Sequence, residues 1–223
     1  MFMGHIGIAM AAKRAAPRAS LGTLVAAAVW LDLVWPVMLL AGLERVRIDP
    51  GNTAVTPLDF ERYPFTHGAS AVVLWSLAFG AVYLWRGGYR RGAIVAGALV
   101  ASHWVLDAIV HRPDLPLLWD GPKVGLGLWS SLPATVAIEV GILGAGVALY
   151  LRAGPARDAT GRWALAALVA FVLAVYGANL LGPPPPSEKA IAVGGLAQWL
   201  FVAWAAWIDR HRRAAAPGLL LQG

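Results

Sequence analysis

The chain has 223 residues, of which 59% are hydrophobic and only 13% charged, with a formal net charge of +6. A soluble domain of this length is roughly a quarter charged, so the solvent this chain is built for is lipid. It has no cysteine, which excludes disulfides and thiolate metal sites. Its basic residues fall at the ends of apolar runs, as they do when charge orients a membrane protein, and not in a nucleic-acid-binding patch.

Residues 2–12 are a short apolar run holding His5, followed by Lys13, Arg14 and Arg18. A signal peptide carries its charges before the apolar run, and this run is short for a span. It reads as a half-helix or interfacial segment retained in the mature protein. Six longer apolar runs follow, at about 20–42, 67–85, 92–110, 131–151, 163–181 and 190–208. Each is close to the ~20 residues a spanning helix needs, and lipid permits no open backbone, so helices are expected. The fold class expected is an all-α integral membrane bundle of six transmembrane helices with a short N-terminal half-helix. Residues 1–152 would form the membrane core with the candidate site, and 153–223 two further spans and a basic tail.

With the N-terminus cytoplasmic, the inner segments collect Arg86, Arg90 and Arg91, Arg152, Arg157 and Arg162, and Arg210, Arg212 and Arg213 besides the first three. That bias puts both termini inside. The long loops, 43–66 with its Pro50-Gly51-Asn52 turn signal and 112–130 with Trp119 and Trp129, then lie outside. So does the stiff Pro183–Pro186 connector.

Three acids fall within spans: Asp32, Asp107 and Glu139. A central Asp costs about 2.5–3.5 kcal/mol on insertion scales, and no Lys or Arg lies in these spans to offset it. The remaining partners are histidines, protons or a metal ion. His103, Asp107 and His111 recur at i, i+4 and i+8, one helical face. At ~1.5 Å per residue, Asp107 lies about 6 Å and His103 about 12 Å below His111. Glu139 and Asp32 fall at similar depth, His67 enters from the outer loop, and His5 would approach Asp32 from the other side. Imidazole and carboxylate donors without thiolate suit a divalent ion, zinc first, with manganese or iron as alternatives. Such an ion activates water or polarises a phosphoryl or acyl group, and a buried second carboxylate serves as base. Asp107 and Glu139 are the catalytic candidates.

Plainer readings stand beside these. Glu139 alone is more simply an acid protonated or hydrogen-bonded within the bundle. His111 reads as an interfacial residue, His211 as part of the basic tail, and His103 with Asp107 as either a hydrogen-bonded pair or ligands. Ser102 and Thr66 beside histidines compose no nucleophilic triad.

Gly4-His5, Leu31-Asp32, Phe65-Thr66-His67 and Ser102-His103 followed by Asp107 occur in one order, continuing into Leu115-Pro116-Leu117-Leu118-Trp119. That order resembles the YdjM-type bacterial inner-membrane proteins, a family described as metal-dependent hydrolases, over about residues 1–120. The resemblance implies a metal site of His5, Asp32, His67, His103 and Asp107, and hydrolysis of a phosphoester or lipid-linked substrate. It also implies the bacterial inner membrane. Two departures remove ligands: the family's DxDH is Asp32-Leu33-Val34-Trp35 here, and its HRGxTHS is Arg62-Tyr63-Pro64-Phe65-Thr66-His67-Gly68. A second metal would lack donors. The competing expectations are a non-enzymatic scaffold or accessory subunit whose polar residues are structural, and an ion or proton path. Membrane lipids are the expected partners, with no nucleic acid and no protein partner indicated.

Overall fold

In lipid, backbone N–H and C=O groups find partners only within helices, and the chain folds accordingly. The structure, a computed structural model, describes residues 1–119 and 121–212; Arg213 and the rest of the expected tail lie outside them. The helices are α1 (Met3–Ala12), α2 (Leu21–Ala28), α3 (Trp30–Leu40), α4 (Ala69–Gly87), α5 (Arg90–Val110), α6 (Leu132–Arg152), α7 (Ala159–Leu181), α8 (Glu188–Leu196) and α9 (Trp199–Arg210). Five stretches are long and apolar enough to cross a membrane: α4, α5, α6, α7 and the 188–210 pair. The pair α2–α3 makes a sixth if taken as one span, but it bends by 55° at Val29. Leu74, Leu77 and Trp85 of α4 are exposed, as a helix facing lipid requires. The whole fits an integral membrane protein.

The chain is mostly helical, as expected, with two short hairpins in the loops. There β1 (Arg45–Ile48) pairs antiparallel with β2 (Leu58–Arg62), and β3 (Leu115–Pro116) with β4 (Lys123–Val124). Arg45-Val46-Arg47-Ile48 alternates with period two, and Gly51 adopts φ 91° in the connection. Arg47 ties the hairpin by ion pairs to Asp59 (2.6 Å) and Glu61 (3.2 Å).

Two local features position the site. The bend at Val29 interrupts the helix between Ala28 and Asp32, releasing the Ala28 carbonyl from the α-helical ladder. Pro36, inside α3, has no N–H to offer the Asp32 carbonyl one turn back. The other feature is the seating of α1 on α6. A Cβ on Gly7 would lie 2.6 Å from the Ile142 carbonyl oxygen, and one on Gly146 would overlap the Gly7 carbonyl outright. Small residues let the two backbones touch, which is how helices associate when lipid is the alternative neighbour. Glu139 on α6 completes the joint: its Oε2 accepts the N–H groups of Phe2, Met3 and Gly4 at 2.9, 2.6 and 3.2 Å. These are donors an α-helix leaves orphaned at its start.

Candidate metal centre

Five side chains converge where α1, α3, α5 and the residue preceding α4 meet. His103 and Asp107 come from α5, Asp32 from the first turn of α3, His5 from α1, and His67 from the loop just before α4. All five sequence candidates for metal binding are therefore brought together. His5, His67, His103 and Asp107 are buried, while the Asp32 side chain keeps a quarter of its surface. Asp32 is the one of the five that reaches the surface.

Hydrogen bonds fix which imidazole nitrogen faces the centre. His103 Nδ1 lies 2.8 Å from the Ala28 carbonyl oxygen, which can only accept. Nδ1 therefore carries a proton, and in the neutral ring Nε2 keeps its lone pair. His67 Nδ1 lies 2.8 Å from Thr66 Oγ1, whose own hydrogen goes to Glu44 Oε2 at 2.7 Å. His67 thus donates from Nδ1 and turns Nε2 inward. Glu44 is held by the Phe65 and Thr66 N–H groups at 2.8 and 2.9 Å, and burial pushes its carboxyl up from the ordinary range.

The inward nitrogens meet carboxylate oxygens. His103 Nε2 is 3.1 Å from Asp107 Oδ2 and 3.6 Å from Asp32 Oδ1; His67 Nε2 is 3.5 Å from Asp32 Oδ1 and 3.7 Å from Asp107 Oδ2. Ligands at ~2.0–2.1 Å on a tetrahedral ion stand about 3.4 Å apart, close to these four edges. His103 Nε2 is nonetheless buried without a hydrogen bond among the described residues, even though an oxygen lies at hydrogen-bonding range. A proton on that nitrogen would not point at Asp107. With both rings neutral, acceptors face acceptors in a dry site, an arrangement that a proton or a metal ion between them would relieve. The donor set can hold a metal ion, as two overlapping groups, Asp32–His67–His103 and His5–His103–Asp107, that share His103.

His5 plays a different part in the arrangement. Its Nε2 lies 3.2 Å from Asp107 Oδ1, and its ring stacks on His103 with centroids 3.8 Å apart and planes 4° from parallel. The Met1 amino group donates to the same Oδ1 at 2.6 Å. One oxygen of Asp107 is thus held from α1 while the other faces the cluster. Glu139, a catalytic candidate by sequence, lies on the far side of the α1 N-terminus with one oxygen saturated by backbone donors. His111 stands at the C-cap of α5, 2.8 Å from Asp114 and 3.3 Å from the Tyr63 hydroxyl, and burial lowers its pKa. It is a buried member of a loop network.

Sequence reasoning missed the surrounding shell: the Ala28 carbonyl, the Thr66 hydroxyl as a relay, and Glu44. Thr66 was legible as a histidine's neighbour, but nothing in its spacing pointed to an acid 22 residues away. Such outer partners typically tune metal affinity 10–100-fold. Thr66→Val, which keeps shape but removes the relay, is expected to weaken metal binding about tenfold, and Thr66→Ser to restore it, by competition titration against a chromophoric chelator. No family model, curated protein or solved structure matches the chain.

Proposed function

We propose that this chain is a membrane-embedded, metal-dependent hydrolase holding a single divalent ion, zinc before manganese or iron. The observation that carries the reading is the orphaned Nε2 of His103, buried among carboxylate oxygens at tetrahedral-edge distances with its other nitrogen already committed. Asp32, His67, His103 and Asp107 are the ligand set. His5 positions Asp107, and Glu44 with Thr66 positions His67. An ion bound there would lower the pKa of a bound water and polarise a phosphoryl or acyl oxygen. The chain's own residues would hold the four donors rigid, exclude bulk water on the buried sides, and admit the reacting group past Asp32. The charge bias of the sequence favours the outer half of the membrane for this opening, and the resemblance to YdjM-type proteins implies a bacterial inner membrane and a phosphoester or lipid-linked substrate. The resemblance to YdjM-type proteins supports the same reading, and the missing family ligands favour one ion over two.

The role of Glu139 is revised within this proposal. Three backbone donors on one oxygen suit a cap for α1. Both oxygens of Asp107 are engaged, so general-base duty falls to Asp32 through the oxygen not turned to the histidines. A scaffold reading draws on the same observation, because a polar group in a span is accounted for without chemistry. The two separate on one measurement. Full-length protein purified in detergent and dialysed against zinc should carry one ion per chain by elemental analysis, and hydrolyse a model phosphodiester in a chelator-sensitive way. Metal-free protein of unchanged thermal stability would favour the scaffold.

Glu139→Ala provides a related check. Removing the cap is expected to cost about 1–3 kcal/mol through three unmet N–H groups, read as a fall in melting temperature, while Glu139→Gln retains most of the stability.

A further inference from the structure

A second polar site lies apart from the histidine cluster. A cavity of about 630 Å3 opens between the β1–β2 connection, Trp129, the end of α7 and the Pro183–Pro185 run. Small-ligand sites typically span about 300–1,000 Å3. Glu139 and Tyr176, only 1% and 7% exposed, line it from α6 and α7, and Asn179 stands near its rim. Phe2, Phe60 and Trp129 supply aromatic walls.

Two polar groups there are unspent. Glu139 gives Oε2 to three backbone N–H groups, whereas its Oε1 accepts no hydrogen bond among the described residues. The Tyr176 hydroxyl is buried and has no hydrogen-bond partner among the described residues. A buried hydroxyl without a partner is costly, and such groups in native proteins call for an occupant that satisfies them. The charge of Glu139 is already met by the N-terminus of α1, so a cationic ligand would gain little there. A neutral hydroxyl can donate to Oε1 without carrying a further charge into the bundle. Aromatic walls suit the C–H faces of a sugar ring.

We infer that this cavity binds a neutral polyhydroxyl group of the glycosyl type, with Glu139 Oε1 accepting from one hydroxyl and Tyr176 bonding another. The inference stands apart from the metal reading, since neither residue belongs to the cluster. The ligand is either the head of a glycolipid or a free sugar, and both present the same hydroxyls.

The test places the full chain in nanodiscs of equal phosphatidylcholine and monoglucosyldiacylglycerol and reads retained lipid by native mass spectrometry. In a parallel arm, methyl β-glucoside is titrated into phosphatidylcholine nanodiscs by tryptophan fluorescence. Glucosyl lipid retained over phosphatidylcholine, or saturable glucoside binding, is expected, and the arm that responds identifies the source. Tyr176→Phe, which deletes only the hydroxyl, should weaken binding about tenfold. Asn179→Leu, on the exposed end of the same wall, is a second variant that leaves the buried bundle alone. Equal retention of both lipids together with no glucoside response overturns the inference, as do preference for the choline head or a Tyr176→Phe chain that binds undiminished. Chelation should leave the binding unchanged, so metal and glycoside results fail independently.

Discussion

Replacing His103 with alanine is expected to abolish stoichiometric metal binding and, with it, any chelator-sensitive hydrolysis. The residue belongs to both overlapping donor groups and is fully buried, so no neighbour can take its place. Loss of an outer partner costs 10–100-fold in affinity; loss of a shared donor should exceed that range. Linkage supplies a second readout. An ion present at 100 times its Kd stabilises the folded chain by about 2.7 kcal/mol. Chelator should therefore lower the melting temperature of the wild type by several degrees and leave His103→Ala where it already was. His103→Ala also strips the Ala28 carbonyl of its donor, so a drop in stability alone proves nothing. The metal-dependent part of that drop is decisive. Equal metal content in variant and wild type, with equal chelator shifts, would sink the proposal.

The convergence of five residues was legible in the sequence because lipid makes polar groups conspicuous. Asp32, Asp107 and three histidines stood in apolar runs with no basic partner, and depth along each helix placed them in one layer. What joined them was not legible. Depth reasoning brought His5 towards Asp32, yet α1 packs on α6 and lays the His5 ring on His103, with its Nε2 on Asp107. Helix crossing decides that contact, and residue spacing within one helix carries no information about it. The break at Val29 was hidden for a similar reason: a β-branched residue inside a uniformly apolar run gives no stop signal. It took the bend to free the carbonyl that fixes the His103 tautomer. Glu44 drew no reading of its own within the 43–66 loop, and its role emerges once that loop brings it onto Thr66. The hairpins themselves were missed because strands of two to five residues are too short to outweigh the helical composition around them.

Glu139 illustrates the limit of reading chemistry from residue type. Its depth and lack of a cationic partner matched those of Asp107, and sequence offered both as catalytic. Their surroundings separate them. Asp107 is gripped through one oxygen and presents the other to two imidazoles, while Glu139 spends an oxygen on the backbone of α1. Glu139 caps the helix that carries His5, so its part in the molecule is to hold α1 against α6.

Gly146→Leu is expected to unseat α1 and so test whether that helix holds the centre together. No leucine fits where a Cβ alone would overlap the Gly7 carbonyl, and the backbones of α1 and α6 cannot part without opening the joint. Overpacking a core typically costs about 1–3 kcal/mol, and here relief is available by releasing α1, which is too short to be stable by itself. The Glu139 cap and the His5 contact to Asp107 would go with it. The chain contains no cysteine, so a single reporter has no background. Ala9→Cys, buried on α1, should resist a membrane-impermeant maleimide in the otherwise unaltered protein and label at least tenfold faster beside Gly146→Leu. Metal affinity should fall with it, by the 10–100-fold expected when support for a ligand is lost and not by the complete loss expected of His103→Ala. Gly146→Ala, with a smaller clash, should fall between. A Gly146→Leu chain that keeps the cysteine protected and the metal bound would mean that the α1–α6 crossing does not govern the geometry of Asp107, and that the orientation of this carboxylate is set from α5 alone.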